Sequence, residues 1–229
     1  EGAGPRPLGS PGGLSTRHPG CMRVEPVSED VLRARLVARI LAEPAPAAVR
    51  VLVDGHPSTG PGALADALVE PLRAAGRPTA RIRAEDFLRP ASLRLEMGRH
   101  DPDSLLDAWI DVSGLNREVL SAVGPGGQGR YLPSLRDPVT DRATRAGYLE
   151  APPGLVVLLD GSLAMGRWLD VDLTVHLSLR TSTIARRTAD EDRWTLDAYT
   201  RYAIEVEPER AADVAVRVDD ARRPAMLTG

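Results

Sequence analysis

Apolar positions along the chain change period repeatedly. Residues 28–43, SEDVLRARLVARILAE, carry Val31, Leu32, Leu36, Val37, Ile40 and Leu41 at helical spacing, with Ser28 as N-cap and acids in the first turn. A continuous β-branched run, AVRVLVD at 48–54, follows and enters a glycine loop. From that loop ALADALVEPLRAAG leaves as a helix, with Leu64, Ala67, Leu68 and Leu72 on one face and Gly76 as its stop. PTARIRAEDF, at 78–87, reads as a short strand ending in Glu85 and Asp86. Residues 101–124 are helical with a break expected near Gly114. GPGGQG then turns the chain into RYLPSLRDPVTDRATR, where RDPV predicts a β-hairpin between two polar arms. GLVVLLDG, DVDLTVHLSL and ADVAVRV are three further strands, the first the most apolar; STIARRTADED and WTLDAYTRYAIEVE, both helical, separate the last two. Strands and helices in alternation, with strands apolar on both faces, predict an α/β fold: a mainly parallel sheet flanked by helices on both faces, with a small β-hairpin insertion.

Composition narrows the function classes. With 229 residues the chain suits one α/β domain, and the longest apolar run, Leu155 to Leu159, is far too short to span a bilayer. A net charge of −3 supplies no large positive field, so a nucleic-acid partner lacks electrostatic support and a small molecule is favoured. Oligomeric state is not legible. The lone Cys21 fits a reducing cytoplasm and excludes a zinc cluster. Around it, residues 1–24 are Gly/Pro/Ser-rich and read as a disordered tail, with Met22 as a natural start; 25–48 hold the amphipathic lead-in helix and 49–224 the domain.

The loop GHPSTGPG, Gly55 to Gly62, has the spacing of a phosphate-binding loop, G-x-x-x-x-G-K-[ST]. Pro61 stands at the lysine position and Gly62 at the hydroxyl position. Every one of the 29 basic residues is arginine, so no lysine elsewhere can substitute. Two readings stand side by side. In one, this is a tight turn in which Pro61 starts the helix. In the other, Gly55, Gly60, Gly62 and the helix N-terminus still make an anion site, with Ser58 and Thr59 supplying hydroxyls and His56 a phosphate ligand or a solvated loop residue. Trp109, Trp168 and Trp194 are expected in packing, and His176, inside an apolar strand, is expected to be a satisfied histidine.

In order and spacing, VDG…G, EDFLRP, GRYLPSLRD, LLDG, ARRTADED and ADVAVRVDD resemble the uridine kinase family of P-loop nucleoside kinases, over about Val49 to Pro224. The resemblance implies ATP and Mg²⁺ as cofactors and phosphoryl transfer to a hydroxyl of a nucleoside or similar small molecule. It places the proton-accepting acid on Glu85, with Asp86 beside it, and the metal-side carboxylate on Asp160. Tyr131 and Arg136 would face the nucleoside, and Arg186 and Arg187 would form an arginine lid. The chain departs from the family at Pro61, Gly62, Leu88 (usually tyrosine), Arg136 (usually histidine) and Asp190 (usually a lid arginine). Losing one preorganised donor commonly costs about 10²–10³ in rate, so a catalytically inactive nucleotide- or ligand-binding regulatory module is the alternative.

Overall fold

Burial on both faces marks 49–55, 156–161 and 173–178 as interior strands, and the computed structural model, which describes residues 23–220 and 223–228, pairs them side by side. The strands of the main sheet are β1 (Arg23–Pro26), β2 (Val49–Gly55), β3 (Thr79–Arg83), β8 (Val156–Gly161), β9 (Leu173–Ser178), β10 (Val214–Arg217) and β11 (Ala225–Thr228). The short pairs β4 (Arg130–Tyr131) with β7 (Leu149–Glu150) and β5 (Arg136–Asp137) with β6 (Arg142–Ala143) lie outside it. The sheet order is β1-β11-β10-β9-β2-β8-β3. β3, β8, β2, β9 and β10 run parallel, while β11 and β1 close the edge antiparallel.

Alternation along the strands builds two cores. Val51, Val53, Leu158, Val175 and Val216 pack under α1 (Glu29–Leu41) and α2 (Pro61–Ala74), meeting Leu36, Ile40, Leu68 and Leu72. Leu52, Ile82, Val157 and Leu159 point the other way, toward Leu115, Val119, Leu120, Ala198 and Tyr202. Each of these fully buried aliphatic side chains contributes roughly 1.5–3 kcal/mol of transfer free energy. At the end of the sheet away from the glycine loop, buried Arg77 ties three connections together, donating to the carbonyls of Gly154, Glu43 and Ala47 at 2.7, 2.9 and 3.1 Å.

The second face is covered by α3 (Ala91–Arg94), α4 (Pro102–Ala108), α5 (Val112–Leu115), a π-helical turn at Asn116–Leu120 and α6 (Ser121–Val123), followed after β9 by α7 (Thr181–Arg187), α8 (Leu196–Glu205) and α9 (Pro208–Ala211). The expected hairpin is present, with Arg136 opposite Ala143 and Asp137 opposite Arg142.

Four expectations need correction. The break in the 101–124 helix lies at 109–111, not Gly114. There the Asp111 amide bonds Phe87 O at 2.8 Å and the Asp111 carboxylate caps Gly114 N at 2.8 Å. Gly114 sits inside α5 because a Cβ would come within 2.6 Å of that carboxylate. Arg23 and Val24, read as tail, form β1 on β11; the rest of that tail lies outside the described residues. Ala225–Thr228, beyond the expected domain end, adds β11. Trp168 does not pack: it is 91% exposed.

Candidate functional site

The glycine loop keeps its place between strand and helix but turns its donors inward. Pro57–Thr59 form a 3₁₀ turn, and Gly60 adopts a left-handed conformation, φ 72°, before Pro61 opens α2. Thr59 N and Gly60 N bond the carbonyls of His56 and Pro57 at 2.8 and 3.1 Å, and Ser58 N donates to His56 Nδ1 at 3.2 Å. Pro57 and Pro61 have no N–H. The loop therefore consumes three of its own amides, leaving an anion those at the start of α2. Its hydroxyls are engaged as well: Thr59 Oγ1 donates to His56 O at 2.7 Å, and Ser58 Oγ pairs with His56 Nδ1 at 2.8 Å. Burial, and then the charge of Arg187, lower the His56 pKa.

Asp160, at the end of β8, faces Gly62 so closely that a Cβ there would lie 3.0 Å from its Oδ2. Its other oxygen accepts from Arg81 Nη2 at 2.7 Å. Arg81 spreads its remaining donors over Leu158 O at 2.8 Å and Asp66 Oδ1 at 2.7 Å. The carboxylate assigned to a metal is thus held by a guanidinium, its neighbour offers no hydroxyl, and no cluster of three metal-ligating side chains exists among the described residues. These residues leave a magnesium ion one free carboxylate oxygen, Asp160 Oδ2, beside a guanidinium and with no hydroxyl, a poor fit.

The two acids after β3 separate. Both ride on a 3₁₀ turn, Ala84–Phe87. Glu85 is exposed and paired with Arg83. Asp86 is half-buried, and burial raises its pKa, with Glu85, Asp160 and Asp137 adding repulsion against the opposing pull of Arg83.

Beside the loop opens a cleft of about 740 Å³, over the carboxyl ends of the strands where open α/β sheets bind ligands. Ser58, Glu85, Leu88, Trp109, Arg187 and Trp194 are among its walls, and the two indoles stand 5.9 Å apart. The Nε1 of Trp109 finds no acceptor among the described residues. His56, Ser58, Glu85 and Arg187 are therefore brought together. Other expected site residues are not: Tyr131 is buried in the core, Arg136 is turned into its hairpin toward Asp141 O at 2.6 Å, and Arg186 is exposed on α7 outside the cleft lining. Arg187 also donates to Asp219 O at 2.9 Å.

No protein-family model and no curated protein sequence matches this chain. Solved structures do. A possible uridine kinase from Bacillus stearothermophilus superposes with a TM-score of 0.65 at 19% identity, covering 81% of this chain and 97% of that one. The fold is the uridine-kinase-like P-loop fold. A candidate fructose transport system kinase from Silicibacter sp. TM1040 shares it, with a TM-score of 0.53, 21% identity and coverage of 81% and 97%. On this fold three of the motifs named from the sequence, VDG…G, EDF and LLDG, fall at the loop, the β3 turn and the end of β8, all at one end of the sheet.

Sequence reasoning passed over Arg81 and Asp54, and read His176 only as a satisfied histidine. Arg81 sits in a strand as an ordinary alternating charge, with nothing in its neighbourhood to say that it crosses to Asp160. Asp54 and His176 each interrupt an apolar run, and the parallel register sets them side by side. A lone polar residue at the same height in two buried strands was the available signal.

Proposed function

We propose that this protein binds a nucleoside-sized small molecule in the cleft beside its glycine loop and does not carry out Mg²⁺-dependent phosphoryl transfer from ATP. The Arg81–Asp160 ion pair carries this reading. It supplies from within the chain the positive charge that a metal ion or loop lysine would bring, at the carboxylate those groups would occupy. The inward-turned loop amides support it further, because phosphate would have to displace bonds already made. A cleft walled by two indoles and Leu88, with Glu85 and Arg187 among its charges, suits a flat ring carrying a polar substituent.

Trp109 and Trp194 give the test its signal. Titration of the full chain with a panel of nucleosides and nucleotides is expected to change tryptophan fluorescence for at least one of them, and Trp194→Leu to weaken that ligand. Incubation with ATP and Mg²⁺ is expected to leave the bound nucleoside unphosphorylated. Appearance of a nucleoside monophosphate would overturn the reading in favour of a kinase that works through arginine.

A further inference from the structure

A second cavity, of about 600 Å³, lies across a wall formed by His56, Leu163 and Tyr199, which line both spaces. His56 and Tyr199 meet edge to face at 4.5 Å, and Ser162 Oγ bridges Tyr199 OH at 2.9 Å and Gly55 O at 2.7 Å, so the wall is braced. His176 of β9 also lines this second cavity.

His176 is more than nine-tenths buried, and its orientation is fixed from behind. Asp54, wholly buried on β2, accepts from His176 Nδ1 at 2.8 Å and from Tyr202 OH at 2.8 Å through Oδ2, and from Ala164 N at 2.9 Å through Oδ1. Met165 N in turn donates to the Tyr202 oxygen at 3.2 Å. A carboxylate surrounded by donors requires an imidazole proton on Nδ1, and in the neutral ring that leaves the lone pair on Nε2. That nitrogen has no protein partner among the described residues, and His176 lines the cavity, so the ring's second nitrogen is open to a ligand there.

The rest of the cavity says what would meet it. Apolar walls come from Leu163, Ile184, Leu196 and Ala203, and the hydroxyls of Ser178, Tyr199, Thr200 and Tyr202 that also line it are each already bonded. The charges at the mouth are matched: Arg210 with Glu207 at 3.4 Å, Arg180 with Asp219 at 3.7 Å and Glu209 with Arg217 at 3.0 Å. A charged ligand would find no unmatched counter-charge there. We infer that this cavity is a second ligand site, separate from the cleft, for an uncharged ring-sized molecule carrying one O–H or N–H, whose proton is accepted by His176 Nε2. The volume falls within the range of small-molecule sites.

The full-length chain can be titrated with p-cresol and with 4-methylanisole, the methyl ether that keeps the ring and lacks the donor. p-Cresol is expected to bind at least about tenfold more tightly, the factor that leaving a buried acceptor unmet implies. Nitrogen NMR of the histidine side chains should show the His176 Nε2 resonance moving on p-cresol addition and Nδ1 staying protonated. His176→Phe should bring p-cresol down to the affinity of the ether. Equal affinity for the two compounds, an unmoved Nε2 resonance, or no binding of either at millimolar concentration would overturn the proposal. The wild-type NMR readout decides the matter even if His176→Phe does not fold. Failure here leaves the nucleoside cleft untouched, since that site is read by Trp194.

Discussion

Asp54 and Asp160 end adjacent parallel strands and look to opposite sides of the same sheet edge. Asp160 looks toward α2 and meets Arg81; Asp54 looks toward α8 and meets His176 and Tyr202. A guanidinium is always charged and its donors are spread over Asp160, Asp66 and a carbonyl, so the first carboxylate is neutralised from within the chain. An imidazole has a second nitrogen on the far edge of its ring, so the second carboxylate is extended by one group and left open toward a cavity. The partner, more than the acid or its place in the fold, decides what each strand end can do. The loop lies between these two fates, its own donors turned inward.

Removing each carboxylate system in turn tests the contrast. Asp54→Ala should have the largest effect, because it strands Nδ1 of His176, the Tyr202 hydroxyl and the Ala164 amide in the core. A loss of about 3–5 kcal/mol in urea unfolding is expected. Asp54→Asn should lose less by keeping an acceptor. A loss within error for the alanine variant would mean the dyad is not held as described.

Arg81→Met should cost about 2 kcal/mol, less than a fully buried pair because both side chains keep some contact with water. Combined with Asp160→Asn, the loss should fall short of the sum of the two single changes, as it does for residues in contact. Strict additivity would break the comparison by showing that Asp160 is not neutralised by Arg81.

How much of this was legible beforehand follows from the range of the interactions. The parallel sheet, its flanking helices and the hairpin follow from periodicity and turn chemistry, which act within a few residues. So does Pro61 opening a helix. The helix break was misplaced because Asp111, a capping acid whose backbone leaves to bond Phe87, outweighed Gly114, which only makes room for it. β1 and β11 were missed because each is short and stands only by sheet pairing, β1 on β11 across most of the chain and β11 on β10. The site residues divide the same way. Motif spacing pointed to the loop, Glu85 and Asp160, which lie at one end of the sheet. It had no means of finding Arg81, whose role depends on the 2.7 Å reach to the next strand, and it led Tyr131 and Arg136 toward a cleft they do not line.

Asp86 offers the smallest and sharpest probe of Asp160's surroundings. Burial and neighbouring acids, Asp160 among them, raise its pKa in the folded chain. Its protonated form is favoured by folding, so ionisation is destabilising: the penalty is absent below the ordinary carboxylate range, sets in as pH rises through the raised value and is complete above it. Asp86→Asn should accordingly raise Tm modestly at neutral pH, with the gain disappearing below about pH 4. A gain that persists in acid would place its origin elsewhere.

The central claim, that the metal's place at Asp160 is taken by Arg81, is met most directly by calorimetric titration of ATP into the full chain in EDTA and again in millimolar Mg²⁺. The account predicts weak binding whose affinity changes less than about twofold between the two, since Arg81 neutralises Asp160 and Gly62 has no hydroxyl to offer the cation. A tightening of tenfold or more by Mg²⁺ would contradict it.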